Sequence, residues 1–481
     1  MAERHKNSTS HAARAADAVD IGSRRELFVD DHLIDKLHGT SLRLHQPQPA
    51  EVAIRYDKPW EDCLAFYTTV LKDDDTYRMY YRGSHIGSGP NPTCYAESTD
   101  GIHWTKPALG LVEINGSTEN NAILPHNGQF CAFVDIRPGI PEAERYKANA
   151  RDPQRPHSLI AYVSADGIHW KKLRDEPIVP MALENNFDSQ NVMFWSEVEN
   201  CYVLYARHMV GGDRIRSTAR ATSIDFLNWT EQTPMTFSDT GSPTPSAHFY
   251  TNQTQPYFRA PHIYVSLPGR IHFGRRALTD AQDTVVCPDP ISGGGSDISD
   301  GVLLTTQAGT TEYDFTFRES FVRPGIGYGN WTSRTNYPAL GVVQTGQSEM
   351  SLYVQRNYDQ RTAHLQRLTL RLDGFSSVNA PYTGGEMVSR PLIFSGAHLE
   401  INYSTSAAGG IRVEIQNPDG VPIDGYTLDE CPEIIGDEIS RVVYWAGGSD
   451  LGELAGRPIC LRFVMKDADL FSLRFGGRES M

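Results

Sequence analysis

Apolar and polar residues alternate in short runs along most of the chain, and the runs come in pairs separated by polar or glycine-bearing turns. CLAFYTTVLKDDDTYRMYYRG folds this pattern about Asp73, Asp74 and Asp75, and SQNVMFWSEVENCYVLYARH folds it about a second turn. Alternation of period two, bounded by turn residues, predicts strand hairpins. Further paired runs begin at QFCAFVDI and continue through RYKANAR, and begin at HFYTNQTQPYF and continue through PHIYVSL. A last series leads from Phe321 through ALGVVQ and MSLYVQRNY to LQRLTLRLDGF. Helices are nearly absent from this pattern.

A heptapeptide, Ser-x-Asp-x-x-x-Trp, follows three of these stretches: Ser98, Asp100 and Trp104; Ser164, Asp166 and Trp170; Ser223, Asp225 and Trp229. The copies lie 66 and 59 residues apart, a period suited to a four-stranded propeller blade with generous loops. A Ser or Asp side chain can close a turn onto the backbone while the Trp packs between sheets, so these residues are assigned to blade turns and not to catalysis. Five blades are expected from residue 26 to residue 376. After Gly374 the chain alternates with Gly and Asn-Pro-Asp-Gly turns, which predicts a sandwich over residues 377–481. Residues 1–25 are small and polar and read as a disordered lead-in. The expected fold class is therefore all-β, a five-bladed β-propeller followed by a C-terminal β-sandwich.

Composition narrows the function. Lys and Arg number 44 against 59 Asp and Glu, a formal charge of −15 that would repel a polyphosphate chain, so nucleic acid is not expected as a partner. No apolar run reaches the roughly 18 residues of a membrane span, and no membrane partner is expected either. Seven widely spaced cysteines without a CxxC pair read as free thiols, with no metal or other cofactor implied. With no apolar leader in the first 25 residues, a cytoplasmic protein is expected, or a periplasmic or secreted one if the chain is a processed form.

Propellers gather the beginnings of their innermost strands around a central funnel, so polar residues just ahead of those strands are the candidates for chemistry. Cleavage of a glycosidic bond needs two carboxyl groups, one for the leaving oxygen and one for water or the sugar. Asp188, set among amides in FDSQNV, is the first candidate; Glu61, beside the flat ring of Trp60, and Glu349, in SEMSLY, are acid/base candidates, and Asp31 in LFVDDHLI is a fourth. Trp60, Asn191, Arg259, His262, Arg270, Trp331 and Arg334 are the expected substrate-binding residues. The cations among them suit a sugar carboxylate or sulfate, or salt bridges to the catalytic acids. No GxSxG, HExxH or Walker loop is present, and GIGYGN lacks the third glycine of a dinucleotide fingerprint.

Taken together, LFVDD (Leu27 to Asp31), DKPWE (Asp57 to Glu61), the three turns, FDSQNV and the SLPGRI segment ending at Ile271 resemble the superfamily of propeller glycoside hydrolases that includes invertases, levanases, arabinanases and β-xylosidases. The layout is most similar to glycoside hydrolase family 32, and the resemblance implies a bacterial branch acting on a carbohydrate substrate. Phe187-Asp188-Ser189 stands at a place like that of the family's Arg-Asp-Pro, which implies a transition-state stabiliser at Asp188. The Asn-Asp-Pro-Asn, Arg-Asp-Pro and Glu-Cys motifs themselves are missing, so sucrose-type activity is not implied. Two other readings stay open: a carbohydrate-binding propeller without catalysis, and a sialidase- or lyase-like enzyme that uses the arginines on acidic glycans.

Overall fold

The computed structural model describes residues 17–84, 91–126, 129–155, 157–179, 187–288, 290 and 294–477. These fall into two compact units, one of residues 46–370 and one joining the chain up to His45 with Arg371 onward. Both are built almost entirely of strands; the single α-helix among the described residues, α1 (Asp280–Val286), is held by a capping box between Thr279 and Gln282.

Five sheets of the larger unit each start from one strand: β1 (Phe66–Asp73), β2 (Cys131–Val134), β3 (Val192–Ser196), β4 (Gln255–Tyr257) and β5 (Val343–Gln344). From β1 the sheet continues through Thr76–Arg82, Thr93–Ser98 and Ala122–Leu124, and from β2 through Tyr146–Arg151, Leu159–Ser164 and Lys171–Lys172. Cys201–Val210, Ile215–Ser223 and Thr233–Pro234 follow β3, and Ala260–Ser266 and Leu304–Gln307 follow β4. Beyond β5 come Glu349–Arg356 and His364–Arg371, and the outer strand of that sheet is Gln48–Arg55. The first and last segments of this unit therefore share one sheet, a closure that local alternation does not reveal because the partners are far apart in sequence.

Among the first strands, β1 contacts both β2 and β5, β2 contacts β3, and β3 contacts β4. Gln253, ahead of β4, donates to the carbonyl of Pro338, ahead of β5, at 3.1 Å. The ring so formed leaves the hydrophobic core between consecutive sheets. Phe130, Tyr80 and Tyr162 pack in one cluster, Phe133, Trp195 and Tyr202 in the next, and Phe194, Tyr205, Tyr264 and Tyr313 in a third.

The three Ser-x-Asp-x-x-x-Trp segments are turns, as expected. In the first, Ser98 Oγ donates to Asp100 Oδ1 at 2.9 Å, the same carboxylate oxygen accepts from the Ile102 and His103 amides, and Trp104 Nε1 donates back to the Gly101 carbonyl. The second and third repeat this pattern. Each indole packs against the neighbouring core: Trp104 lies edge-on to Tyr353 at 5.8 Å, Trp170 to Phe130 at 5.0 Å and Trp229 to Phe226 at 6.0 Å.

In the smaller unit the strand order is Ile34–His38, Gly385–Ser389, Cys460–Gly476, Ser376–Ala380, Ser41–Leu44, joined by His398–Gln416 and others into one eight-stranded sheet. The two long strands pair along their length with register shifts at Asn402/Tyr403 and between Thr405 and Gly410. Two expected boundaries need correction. Residues 26–45 pair with the C-terminal strands, because Phe28 and Leu33 belong to that unit's core. Part of the expected disordered lead-in is also ordered: Val19–Gly22 runs parallel to Leu392–Phe394 and buries Ile21. Residues 1–16 lie outside the described residues.

Candidate functional site

An antiparallel meander returns to one edge at every second turn. The start of a first strand, the end of the second and the start of the third therefore lie side by side. In the β3 sheet this edge carries Asp188 to Asn191 ahead of β3, Arg207 near the end of the second strand and Arg216 at the start of the third. The backbone bends sharply on entering the first strands. Tyr67 (φ 52°), Phe187 (φ 47°), Gln253 (φ 50°) and Asn336 (φ 70°) are all left-handed without being glycine, a strain of about 1–3 kcal/mol each that surrounding bonds must hold. Asn191 holds one bend: its Nδ2 donates to the carbonyls of Phe187 and Ser189, and its Oδ1 accepts from the Arg207 amide at 3.1 Å. Across the ring, Gln253 Nε2 donates to Gln190 Oε1 at 2.8 Å and Gln190 Nε2 to Thr69 Oγ1 at 2.6 Å, closing the floor with amides.

On this floor stands Tyr250. The guanidinium carbons of Arg207, Arg216 and Arg334 lie 4.6, 5.2 and 5.6 Å from its ring centre. Arg207 also donates through Nη2 to the Tyr250 carbonyl. Burial alone would raise the Tyr250 phenol, but Arg207 and Arg334, with Arg216, overcome both burial and the opposing push of Asp188 and hold it below its ordinary value near 10. Arg216 is lowered in turn, by burial first and then by Arg207 and Arg334. Asp188, with its side chain 47% exposed, accepts from Gln129 Nε2 at 3.1 Å and lies 3.4 Å from Arg151 Nη1. Tyr337 packs against Tyr250 at 5.4 Å, and a Cβ on Gly269 would fall 2.4 Å from the Tyr337 ring, so only glycine fits beside this pair.

No protein-family profile matches the chain. Over 119 residues, 23% of this chain and 36% of its counterpart, it is 33% identical to "Uncharacterized protein MT1551" of Mycobacterium tuberculosis (strain CDC 1551 / Oshkosh). Over 119 residues it is 29% identical to "Uncharacterized protein Rv1502" of strain ATCC 25618 / H37Rv. The chain spans about a third of the length of these curated relatives. Among solved structures, it is similar to a glycoside hydrolase family 43 arabinoxylan arabinofuranohydrolase from Bacillus subtilis in complex with cellotetraose (TM-score 0.43, 11% identity, 88% of this chain and 97% of that one). It is also similar to an N-acetylgalactosamine deacetylase from F. plautii in complex with blood group B trisaccharide (TM-score 0.45, 13% identity, 69% and 96%). A third is a structure from the GH130 family of mannoside phosphorylases and hydrolases that target β-1,2 mannosidic linkages in Candida mannan (TM-score 0.41, 16% identity, 72% and 96%).

Of the residues expected at the site, Asp188, Asn191 and Arg334 meet at this edge. Arg270 and Trp331 line an adjoining cavity of about 480 Å³, where Arg270 forms a two-pronged ion pair with Asp300 at 2.8 and 2.6 Å. The others stand apart. Glu349 sits where β5 ends and the next strand begins, the opposite edge from Asp188, and is paired with Arg367 at 2.8 Å. Arg259 lies in the turn after β4, also at that far edge. Glu61 is buried, accepting from Tyr81 and from Lys106 Nζ at 2.6 Å, because an unpaired carboxylate could not be buried there. Trp60 is tied to Asn121 at 2.7 Å and packs against Val112 and Ile114. His262 is buried within strand Ala260–Ser266, and Asp31 lies in the other unit, on the turn before Ile34–His38. Arg207 and Arg216 escape a reading that follows only first-strand starts; their signal is the basic pair flanking Gly211 and Gly212 in ARHMVGGDRIR, whereas Tyr250 stands in the HFYTNQTQPYF run just ahead of β4. Among the described residues, no group of three or more His, Cys, Asp or Glu side chains is placed to hold a metal ion.

Proposed function

We propose that the chain is a glycoside hydrolase of the five-bladed propeller type, cleaving a glycosidic bond at the edge where β1 to β5 begin. Five sheets around a ring of first strands, with Gln48–Arg55 as the closing strand, support the blade count. The register shifts in the long strands of the second unit support a sandwich that folds over at those points. One observation carries the functional reading: a half-exposed carboxylate, Asp188, shares this edge with a tyrosine whose phenol is held below its ordinary pKa.

Cleavage needs a proton on the departing oxygen and compensation for the positive charge that grows at the anomeric carbon. Tyr250 supplies the first and Asp188 the second. As the glycosidic C–O bond breaks, the phenol gives its proton to the leaving oxygen. Water adds its oxygen to the anomeric carbon, and the proton that water releases restores the phenol. Phe273, 45% exposed and 5.0 Å from the Arg216 guanidinium, offers a face for a sugar ring.

The test is product release from a panel of oligosaccharides, with folding verified by circular dichroism. Asp188→Asn is expected to lower turnover by about a hundredfold or more, and Tyr250→Phe to lower kcat by about a hundredfold with KM little changed. Unchanged turnover in Asp188→Asn overturns the reading.

A further inference from the structure

The chain carries a formal charge of −15, yet its candidate site gathers cations. Arg207 is 4% exposed and Arg216 is half-buried, and neither has an ion-pair partner among the described residues. The buried Nε of Arg216 lacks any hydrogen-bond partner. Arg82, reaching the same edge from the β1 sheet, spends its guanidinium on the Leu64 carbonyl and the Tyr358 hydroxyl and on the rings of Phe66 and Tyr67, with no carboxylate partner among the described residues. Several other arginines are neutralised, Arg270 by Asp300, Arg367 by Glu51 and Glu349, and Arg474 by Glu400, while the buried Arg356 is met by amide and carbonyl oxygens. Guanidiniums taken from water without a counter-charge are costly, and three converging on one tyrosine repel one another as well. The energy is recovered when an anion occupies the space between them, since forked N–H donors match an oxyanion.

We propose that Arg207, Arg216 and Arg334 form an oxyanion site over Tyr250, so that the glycan processed here carries a carboxylate on the reacting sugar or is handled together with a free phosphate ion. This rests on the reading of this edge as the substrate site and names its substrate class. The shared chemistry is a small oxyanion with oxygens spaced to accept from two or more guanidiniums. Neutral glycans would leave Arg207 and Arg216 without a counter-charge among the described residues. In the cavity lined by Arg270, Asp300 neutralises that arginine and Arg275 and Arg323 remain, a net positive lining of the same sign as the cluster.

The test is isothermal titration of the whole protein with D-glucuronate, with inorganic phosphate and with D-glucose as the neutral control. Glucuronate, phosphate or both are expected to bind, while glucose does not bind in an arginine-dependent way. Arg216→Gln and Arg207→Gln are each expected to weaken that binding by about tenfold or more, and Arg259→Gln, at the far edge, to leave it unchanged. If Arg207→Gln fails to fold, Arg216→Lys decides: it keeps the charge, loses the fork, and is expected to bind more weakly than wild type but better than Arg216→Gln. Binding of glucuronate without phosphate assigns the anion to the sugar; binding of phosphate without glucuronate assigns it to the free ion. Affinity unchanged in both glutamine variants, or binding of neither anion to wild type, overturns the proposal. Because the readout is binding and not turnover, an arginine-dependent anion site in a protein that cleaves no glycan would sink the glycosidase reading alone. Cleavage of neutral glycans without anion binding would sink only this one.

Discussion

Asp225 and Asp188 carry the same side chain in opposite settings. At Asp225 burial would raise the carboxyl, but the Asn228 amide, the Asn228 side chain, the Leu227 amide and Ser223 all donate to it and bring it down from 3.8 to about 2. Asp100 and Asp166, in the sister turns, are held lower still. A carboxyl depressed in the folded state adds stability above its unfolded pKa, and that stability is lost as pH falls through the folded value. Asp225→Asn is therefore expected to be less stable than wild type at neutral pH, with the gap closing between about pH 4 and pH 2. Urea unfolding followed by tryptophan fluorescence at both ends of that window checks this; a gap that persists at the acid end contradicts it. Residue chemistry made the turn aspartates legible as structural before any coordinates, because Ser, Asp and Trp recur together at one spacing. Asp188 was legible as a site candidate for the opposite reason, an acid among amides with no turn partner in sequence. Glu61 and Glu349 were not separable from it in that way, since Lys106 and Arg367, which pair with them, lie 45 and 18 residues away.

At the scale of elements, the three turns differ in one respect that sequence alone did not weigh. Gly101 and Gly167 take φ 72° and 75°, and the third copy places Phe226 in the same backbone state at φ 69°. Phe226 is fully buried against Phe133 and Tyr202, so its packing outweighs its strain. Phe226→Gly removes about 1–3 kcal/mol of strain but opens a cavity costing about 3–5 kcal/mol. A net loss is expected, read as a lower Tm of the larger unit; a raised Tm would show that strain dominates. The hairpins of the first, second, third and fifth sheets were readable because alternation and turn residues agree locally. The fourth was harder, because its hairpin of Gln255–Tyr257 and Ala260–Ser266 is bracketed in sequence by a separate pair, His248–Phe249 with Gly269–His272. Arg207 and Arg216 escaped for a related reason, since they belong to a second and a third strand, whose return to the first-strand edge is a property of the meander and not of any local motif.

On the scale of the whole molecule, a formal charge of −15 stands against a cluster of arginines at one edge of the ring, where Arg207 and Arg216 have no ion-pair partner among the described residues, the arrangement proposed above to draw an anion from solution. The general layout, strand hairpins in series followed by a second β unit, was legible in the repeat spacing and in the change of texture after Gly374. The boundary was not: Ser41–Leu44 and Ile34–His38 look like any other alternating run, and only their pairing with Ser376–Ala380 and Gly385–Ser389 assigns them to the second unit. The same long-range pairing hid the closing strand Gln48–Arg55. The most direct measurement is a crystal structure of the Asp188→Asn protein soaked with an oligosaccharide that the wild type cleaves. A sugar with its scissile oxygen between residue 188 and Tyr250 and an oxyanion on Arg207 and Arg216 is expected; a sugar bound instead at the far edge, beside Glu349 and Arg259, would contradict this placement of the chemistry.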